Sequence, residues 1–119
     1  MKKTLVLGAT TNSARYAYLA VTRLVKFGHE VIPLGIQTGE VAGIPIQHGM
    51  PAVEDVDTVT LYIGPPRQPQ YYDYILSLHP KRIIFNPGTE NDELAALAKT
   101  AGIETVEGCT LVMLSIGAF

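Results

Sequence analysis

The sequence predicts an α/β domain built on one Rossmann-like, doubly wound parallel sheet of about five strands, with helices on both faces. Three observations lead there. Short runs that are almost wholly apolar recur along the chain, segments with apolar residues at helical spacing alternate with them, and most of the runs end in a loop rich in Gly, Pro, Asn or Thr.

Thr4-Leu5-Val6-Leu7 reads as a strand buried on both faces, closed by Gly8. From Ala14 the period changes. Ala14, Ala17, Tyr18, Val21, Leu24 and Val25 mark one helix face, and Gly28 stops it. Val31 to Leu34 is the second strand. A turn-rich stretch follows, in which Ile44 to Ile46 has room only for a short strand, placed at an edge by Pro45. Thr58 to Ile63 is the next strand, closed by Gly64-Pro65-Pro66. Tyr71, Tyr74, Ile75 and Leu78 then form a helix face that Pro80 ends. Arg82 to Phe85 is a strand ending at Asn86-Pro87-Gly88, after which Thr89 and Asp92 are spaced as a capping box. Leu94, Leu97, Ala98 and Ala101 give a helix face, and Glu104 to Glu107 the last strand. The apolar segment from Leu111 to Phe119 is expected to close the core or meet a second subunit.

With 119 residues, of which 47% are hydrophobic and 17% charged, the whole chain is expected to fold as one domain, residues 1–119. Nine Lys and Arg against eleven Asp and Glu, with no basic block, argue against a nucleic-acid partner. The apolar stretch after Met1-Lys2-Lys3 is too short for a signal peptide, no run has transmembrane length, and a single cysteine, Cys109, excludes a disulfide framework. A cytoplasmic protein without a membrane partner is the expectation. His29, His48 and His79 are too dispersed for a metal site, and no Ser-His-acid or Cys-His unit can be assembled. Enzymatic activity is therefore not expected.

In doubly wound sheets ligands bind beyond the carboxyl ends of the strands, so the informative residues lie in the loops after them. Gly8-Ala9-Thr10-Thr11-Asn12-Ser13 joins the first strand to the first helix, where free N–H groups and the helix dipole favour an anion. Arg15 follows within reach of a phosphate. Thr10 and Ser13 stand where a dinucleotide fingerprint has its second and third glycines, and Leu34-Gly35-Ile36-Gln37 supplies no acid for a ribose hydroxyl. Both departures weigh against a nicotinamide cofactor. The same loop residues also serve as ordinary caps and turns, which leaves open a domain whose nucleotide site is empty.

The order and spacing of four segments resemble the CoA-binding domain family, which includes small stand-alone bacterial proteins and the N-terminal domain of the succinyl-CoA ligase alpha subunit. They are Leu5 to Thr10 with Arg15, Gly28 to Leu34, Glu40 to Ile44, and Ala101 to Cys109. The resemblance implies coenzyme A, or an acyl-CoA, as the small-molecule ligand. It implies that Gly8, Ala9, Thr10, Thr11, Asn12, Ser13 and Arg15 take the phosphates, and that Leu34, Gly35, Ile36 and Gln37 line the adenosine. Tyr62, Ile63, Gly64, Pro65 and Pro66, with Asn86, Pro87 and Gly88, would flank the pantetheine arm. The segment after the second strand departs from the Asn-Pro of many relatives and lacks the nearby lysine of the ligase type. The ligase's phosphohistidine machinery belongs to a second domain, so the resemblance implies binding rather than ligation. A homo-oligomer or a partner acyl-CoA enzyme is compatible with such a role, and an NAD(P)-dependent oxidoreductase is the rival.

Overall fold

The computed structural model describes residues 1–119. Five parallel strands form the main sheet: β1 (Thr4–Leu7), β2 (Val31–Leu34), β5 (Thr58–Leu61), β6 (Arg82–Phe85) and β7 (Glu104–Glu107), in the order β2-β1-β5-β6-β7. Between β2 and β5 a small antiparallel arm is made by β3 (Glu40–Val41) and β4 (Ile44–Pro45). The helices are α1 (Tyr16–Lys26), α2 (Tyr72–Ser77), α3 (Asp92–Thr100) and α4 (Thr110–Ser115). No helix is long and apolar enough to cross a membrane.

Both faces of the sheet are covered, and the side-chain alternation of each strand divides the core in two. Leu5, Leu7, Val59, Leu61, Ile83 and Phe85 point to the side of α2 and α3, where they meet Ile75, Leu94 and Ala98. Val6 and Val31 point to the other side, against Val21 and Leu24 of α1 and Leu114 of α4. The central β1, β5 and β6 are buried along their whole length, which is why they read as continuous apolar or threonine runs.

The two sheet edges are managed differently. On β7 the outward residues include Glu104 and Glu107, charges that discourage pairing with another strand. β2 contains Pro33, which has no N–H to donate, and its outer edge is partly capped by the segment after the arm. There Gln47 donates to the Pro33 carbonyl at 2.8 Å and its own carbonyl accepts from Gly35 N–H at 3.0 Å.

Four local expectations need correction. Helix α1 begins at Tyr16 rather than Ala14, because Asn12 to Ala14 close a turn of their own: the Asn12 carbonyl accepts from Arg15 N–H and its side chain from Ala14 N–H. Val25 also departs from the expected helix face: the buried side of α1 is Ala17, Ala20, Val21 and Leu24, and Val25 lies on the outer side. The cap of α3 is Asn91, whose carboxamide oxygen accepts from the N–H groups of Glu93 and Leu94; Thr89 is held back in the preceding turn, donating through N–H and hydroxyl to the Asn86 carbonyl. Ile46 lies beyond the short strand, which pairs only with β3 in a two-stranded ribbon.

At the amino end of the sheet Phe119 returns to pack edge-on to His29, with ring centroids 5.0 Å apart, and under the Arg82 guanidinium at 4.4 Å. His29 Nδ1 accepts the Lys2 N–H at 2.9 Å, so the ring is neutral. Burial and then the neighbouring cations, the amino terminus, Lys2 and Arg82, hold its pKa below 6.5. Unfolding frees the ring to protonate, so its contribution is intact above pH 6.5 and is lost as pH falls from there toward the lowered folded value. Urea midpoints at pH 7.0 and 5.5 are expected to differ less in His29→Asn than in the parent.

Candidate functional site

The strand order reverses between β1 and β5, since the chain moves outward to β2 on one side and to β6 and β7 on the other. That is the topological switch point, and a cavity of about 490 Å³ opens there at the carboxyl ends of the strands. Its volume lies in the usual range for a small-molecule site.

One wall is the loop after β1. Gly8 has φ +103°, and a side chain there would press on Ile63 and the Tyr62 backbone at 3.0 Å. The N–H groups of Gly8 and Ala9 both donate to the Leu34 carbonyl, tying the loop to the end of β2. Gly35 permits this approach: a Cβ on it would stand 2.4 Å from the Ala9 carbonyl oxygen. Gln37 then reaches back across the loop. Its carboxamide oxygen accepts from Thr10 Oγ1 and Thr11 N–H, each at 2.9 Å, and from Thr11 Oγ1 at 3.2 Å. Its backbone carbonyl is held 2.7 Å from His48 Nε2.

Beyond the loop lies the N-terminus of α1. Arg15 is the cap residue, in extended conformation, and no side chain caps the helix. The N–H groups of Tyr16, Ala17 and Tyr18 have no acceptor within the chain, and the first turn contains no acid. The contrast with α3 is chemical: there Asn91 satisfies two N–H groups and Asp92 and Glu93 face the positive end of the dipole. Ala14, Arg15, Tyr16 and Ala17 all line the cavity, with Tyr16 71% and Ile36 77% exposed at its mouth.

The opposite wall comes from the loops after β5 and β6. Pro65 and Pro69 open two consecutive 3-10 turns, Pro65–Arg67 and Pro69–Tyr71, which present Arg67 and Tyr71 to the cavity. Gln68 between them is fully buried. Its amide nitrogen donates to the carbonyls of Ile63 at 3.0 Å and Thr89 at 2.8 Å, and its oxygen accepts from Asn91 at 2.8 Å. One side chain thus joins the two loops of this wall. Behind them Asn86, 2% exposed, donates to Thr60 Oγ1 and the Leu61 carbonyl and accepts the Thr110 N–H, binding β5, β6 and the start of α4 together.

The structure brings together Gly8, Ala9, Thr10, Arg15, Gly35, Ile36, Gln37, Tyr62, Ile63, Gly64, Pro87 and Gly88 around the cavity. Thr11, Asn12, Ser13, Leu34, Pro65, Pro66 and Asn86 lie outside its lining: Thr11 and Asn12 shape the loop, Leu34 is core, and Asn86 is engaged internally. Arg67 and Tyr16 join the site without having been singled out for it, and so does Tyr71, one of three tyrosines (with Tyr72 and Tyr74) whose stacking on an adenine is outweighed in the sequence by helical packing. The signal for Arg67 was present, since it is the one basic residue between β5 and α2.

No Asp or Glu lines the cavity, while two guanidiniums and a bare helix terminus do, so its electrostatics favour an anion. Tyr62 forms part of the floor. Burial pushes its pKa up to about 12, with the Thr110 and Thr60 hydroxyls and Cys109 beside it, so it is protonated at neutral pH. Cys109 is a half-buried free thiol outside the cavity lining.

The profile of the CoA binding domain family matches residues 2–115. A crystal structure of an uncharacterized protein is 61% identical, with a TM-score of 0.98 over 100% of this chain and 98% of that one. A hypothetical protein from Pyrococcus horikoshii OT3 is 23% identical, with a TM-score of 0.87 over 97% of this chain and 82% of its own. A Thermus thermophilus protein is 24% identical, with a TM-score of 0.85 over 99% and 91%; these two share the fold. No match is found among curated proteins.

The buried carboxamide of Gln68 gives the first test of the site's construction. Gln68→Leu leaves the carbonyls of Ile63 and Thr89 without their side-chain donor and takes from the Asn91 amide one of its two acceptors, the Tyr72 hydroxyl remaining, at a cost of about 3 kcal/mol. Thermal unfolding is expected to shift down by roughly 10 °C.

Proposed function

Because the chain belongs to the CoA-binding domain family, we propose that it binds coenzyme A or an acyl-CoA in the switch-point cavity, with the pyrophosphate at the N-terminus of α1. The observation that carries this reading is the uncapped first turn of α1: three free N–H groups, with Tyr16 and Ala17 lining an acid-free cavity beside Arg15. A diphosphate accepts from such N–H groups and pairs with a guanidinium, and the loop from Gly8 lets the ligand backbone come close. Arg67 supplies the second cation, which the segment after β2 lacks. The adenosine then lies toward Gly35, Ile36 and Gln37, and the pantetheine arm toward Gly64, Tyr71 and Pro87.

The role is binding rather than conversion. Lys, His, Cys, Ser and the acids are all missing from the cavity lining, and Tyr62 is held protonated by burial, so the hydroxyls of Thr10, Thr89 and the tyrosines there have no base beside them in the lining to activate them. A cytoplasmic carrier, a sensor of the CoA pool or an accessory subunit of an acyl-CoA enzyme fits such a module.

Titration with CoA, desulfo-CoA, NAD, NADP and ATP, followed by calorimetry and melting temperature, tests the reading. CoA is expected to bind at about micromolar Kd and, at a hundredfold excess, to add about 2.7 kcal/mol of stability. Desulfo-CoA should follow closely. A shift with NAD or NADP but none with CoA overturns the assignment. Arg15→Ala should weaken CoA about tenfold to a hundredfold without changing the melt of the free protein, as expected for one charge-assisted phosphate bond.

A further inference from the structure

On the α1 side of the sheet the helical cover thins toward β7. There α1 lies on β1 and β2 with α4 beside it: Leu114 joins Val6 of β1, and the Thr110 hydroxyl is 2.7 Å from that of Thr60 in β5. Beyond α4, Phe119 reaches the Arg82 guanidinium of β6. No helix is left to lie over β7 on this side, since α2 and α3 belong to the other.

Strand register identifies the residues left open. Ile83 and Phe85 face α2 and α3, so Arg82 and Ile84 face α4, and with them their β7 neighbours Glu104 and Val106. Glu104 is exposed and Val106 half-buried. A Cβ on Gly108 would lie 3.6 Å from Val106 Cγ1 and 3.8 Å from Met113 Sδ, so α4 forms one bank of a shallow trough above β7. The outer side of α4 is apolar as well. Thr110 and Leu114 are buried beneath it, while Val112 and Ile116, one turn apart, are 53% and 70% exposed. A single exposed hydrophobe calls for no explanation, but these two share a helix stripe beside half-buried Met113 and Val106.

The charges on either side of this surface identify its occupant. On the α1 flank Arg23 and Lys26 are exposed in the last turn; on the β7 flank stands Glu104, and none of the three makes an ion pair within the chain. All lie at the amino end of the sheet, because α1 runs back from the carboxyl end of β1 and Glu104 opens β7. A two-fold axis parallel to α4, between α4 and β7, exchanges the flanks and keeps their level along the strands, so that cations meet the acid. An axis across the strands would pair α1 with α1 instead. We propose that this face is an interface between two copies of the chain, in which α4 of each lies in the trough above β7 of the other. Val112 and Ile116 then pack on the partner's Val106 and Met113, and Arg23 reaches the partner's Glu104. The partner supplies the helix that the last strand lacks, and the contact is isologous, so every interaction occurs twice.

Sedimentation velocity on the full chain tests this, and a dimer is expected at tens of micromolar. Ile116→Lys places a charge at the centre of the contact and should raise the dimer Kd about thirtyfold or more. Its circular dichroism should match the parent's, and Val112→Lys serves in its place if it does not. Glu104→Arg should raise Kd about tenfold at low salt, and adding Arg23→Glu to it should recover most of that loss. A chain that stays monomeric, or a dimer indifferent to the lysine variants, overturns the proposal. So does a charge reversal at Glu104 that leaves Kd unchanged or is not relieved by Arg23→Glu.

Discussion

The close meeting of two backbone segments, at Gly8-Ala9 and Leu34-Gly35, is the constraint on which the upper end of this molecule depends. Two N–H groups converge on one carbonyl there, and the Ala9 oxygen sits where any side chain on residue 35 would be. The contact sets how far the loop after β1 stands from β2. That separation in turn lets Gln37 reach Thr10 and Thr11. An alanine at position 35 would have to move backbone, not a flexible side chain, so the approach is intolerant of substitution in a way that apolar packing is not.

The other wall of the cavity is built by different means. It has no comparable backbone approach; its loops are long enough to wander and are instead joined by buried carboxamides. Gln68 spans the loops after β5 and β6, and Asn86 ties the strand ends to α4. Each makes at least three hydrogen bonds in a setting where a lost partner strands a buried polar group, so the wall is rigid only while the whole network is intact. A binding surface divided between a sterically fixed wall and a hydrogen-bonded one has two independent sources of precision.

Much of this was legible in the sequence because the determinants are local. The apolar runs of β1, β2, β5 and β6 announce strands buried on both faces, and the loops that end them all fall on one side of a parallel sheet. Harder to read were features that depend on partners distant in the chain. Asn86 has the composition of a ligand loop, yet its carboxamide is used by Thr60, Leu61 and Thr110. Thr89 and Asp92 have the spacing of a capping box, but the turn after Pro87 claims Thr89 and gives the cap to Asn91. The cationic deficit after β2 is real as sequence; only the folded chain brings Arg67 round from the loop after β5 to the same cavity. The β3–β4 arm was half visible, since Glu40-Val41 is too short and too polar to stand out as a strand.

The unpaired start of α1 has a cost as well as a use. With no capping side chain and no acid in its first turn, the helix forgoes a contribution that in other helices amounts to about 1 kcal/mol, while α3 in the same molecule takes it in full. An aspartate in this turn would strengthen the empty protein and, by occupying and neutralising the same N–H groups, compete with any anion for them. Selection for stability alone would therefore tend to close the site. That it stands open marks the first turn of α1 as a place where robustness and binding are in opposition, and a stabilised variant of this fold would have to find its gains elsewhere.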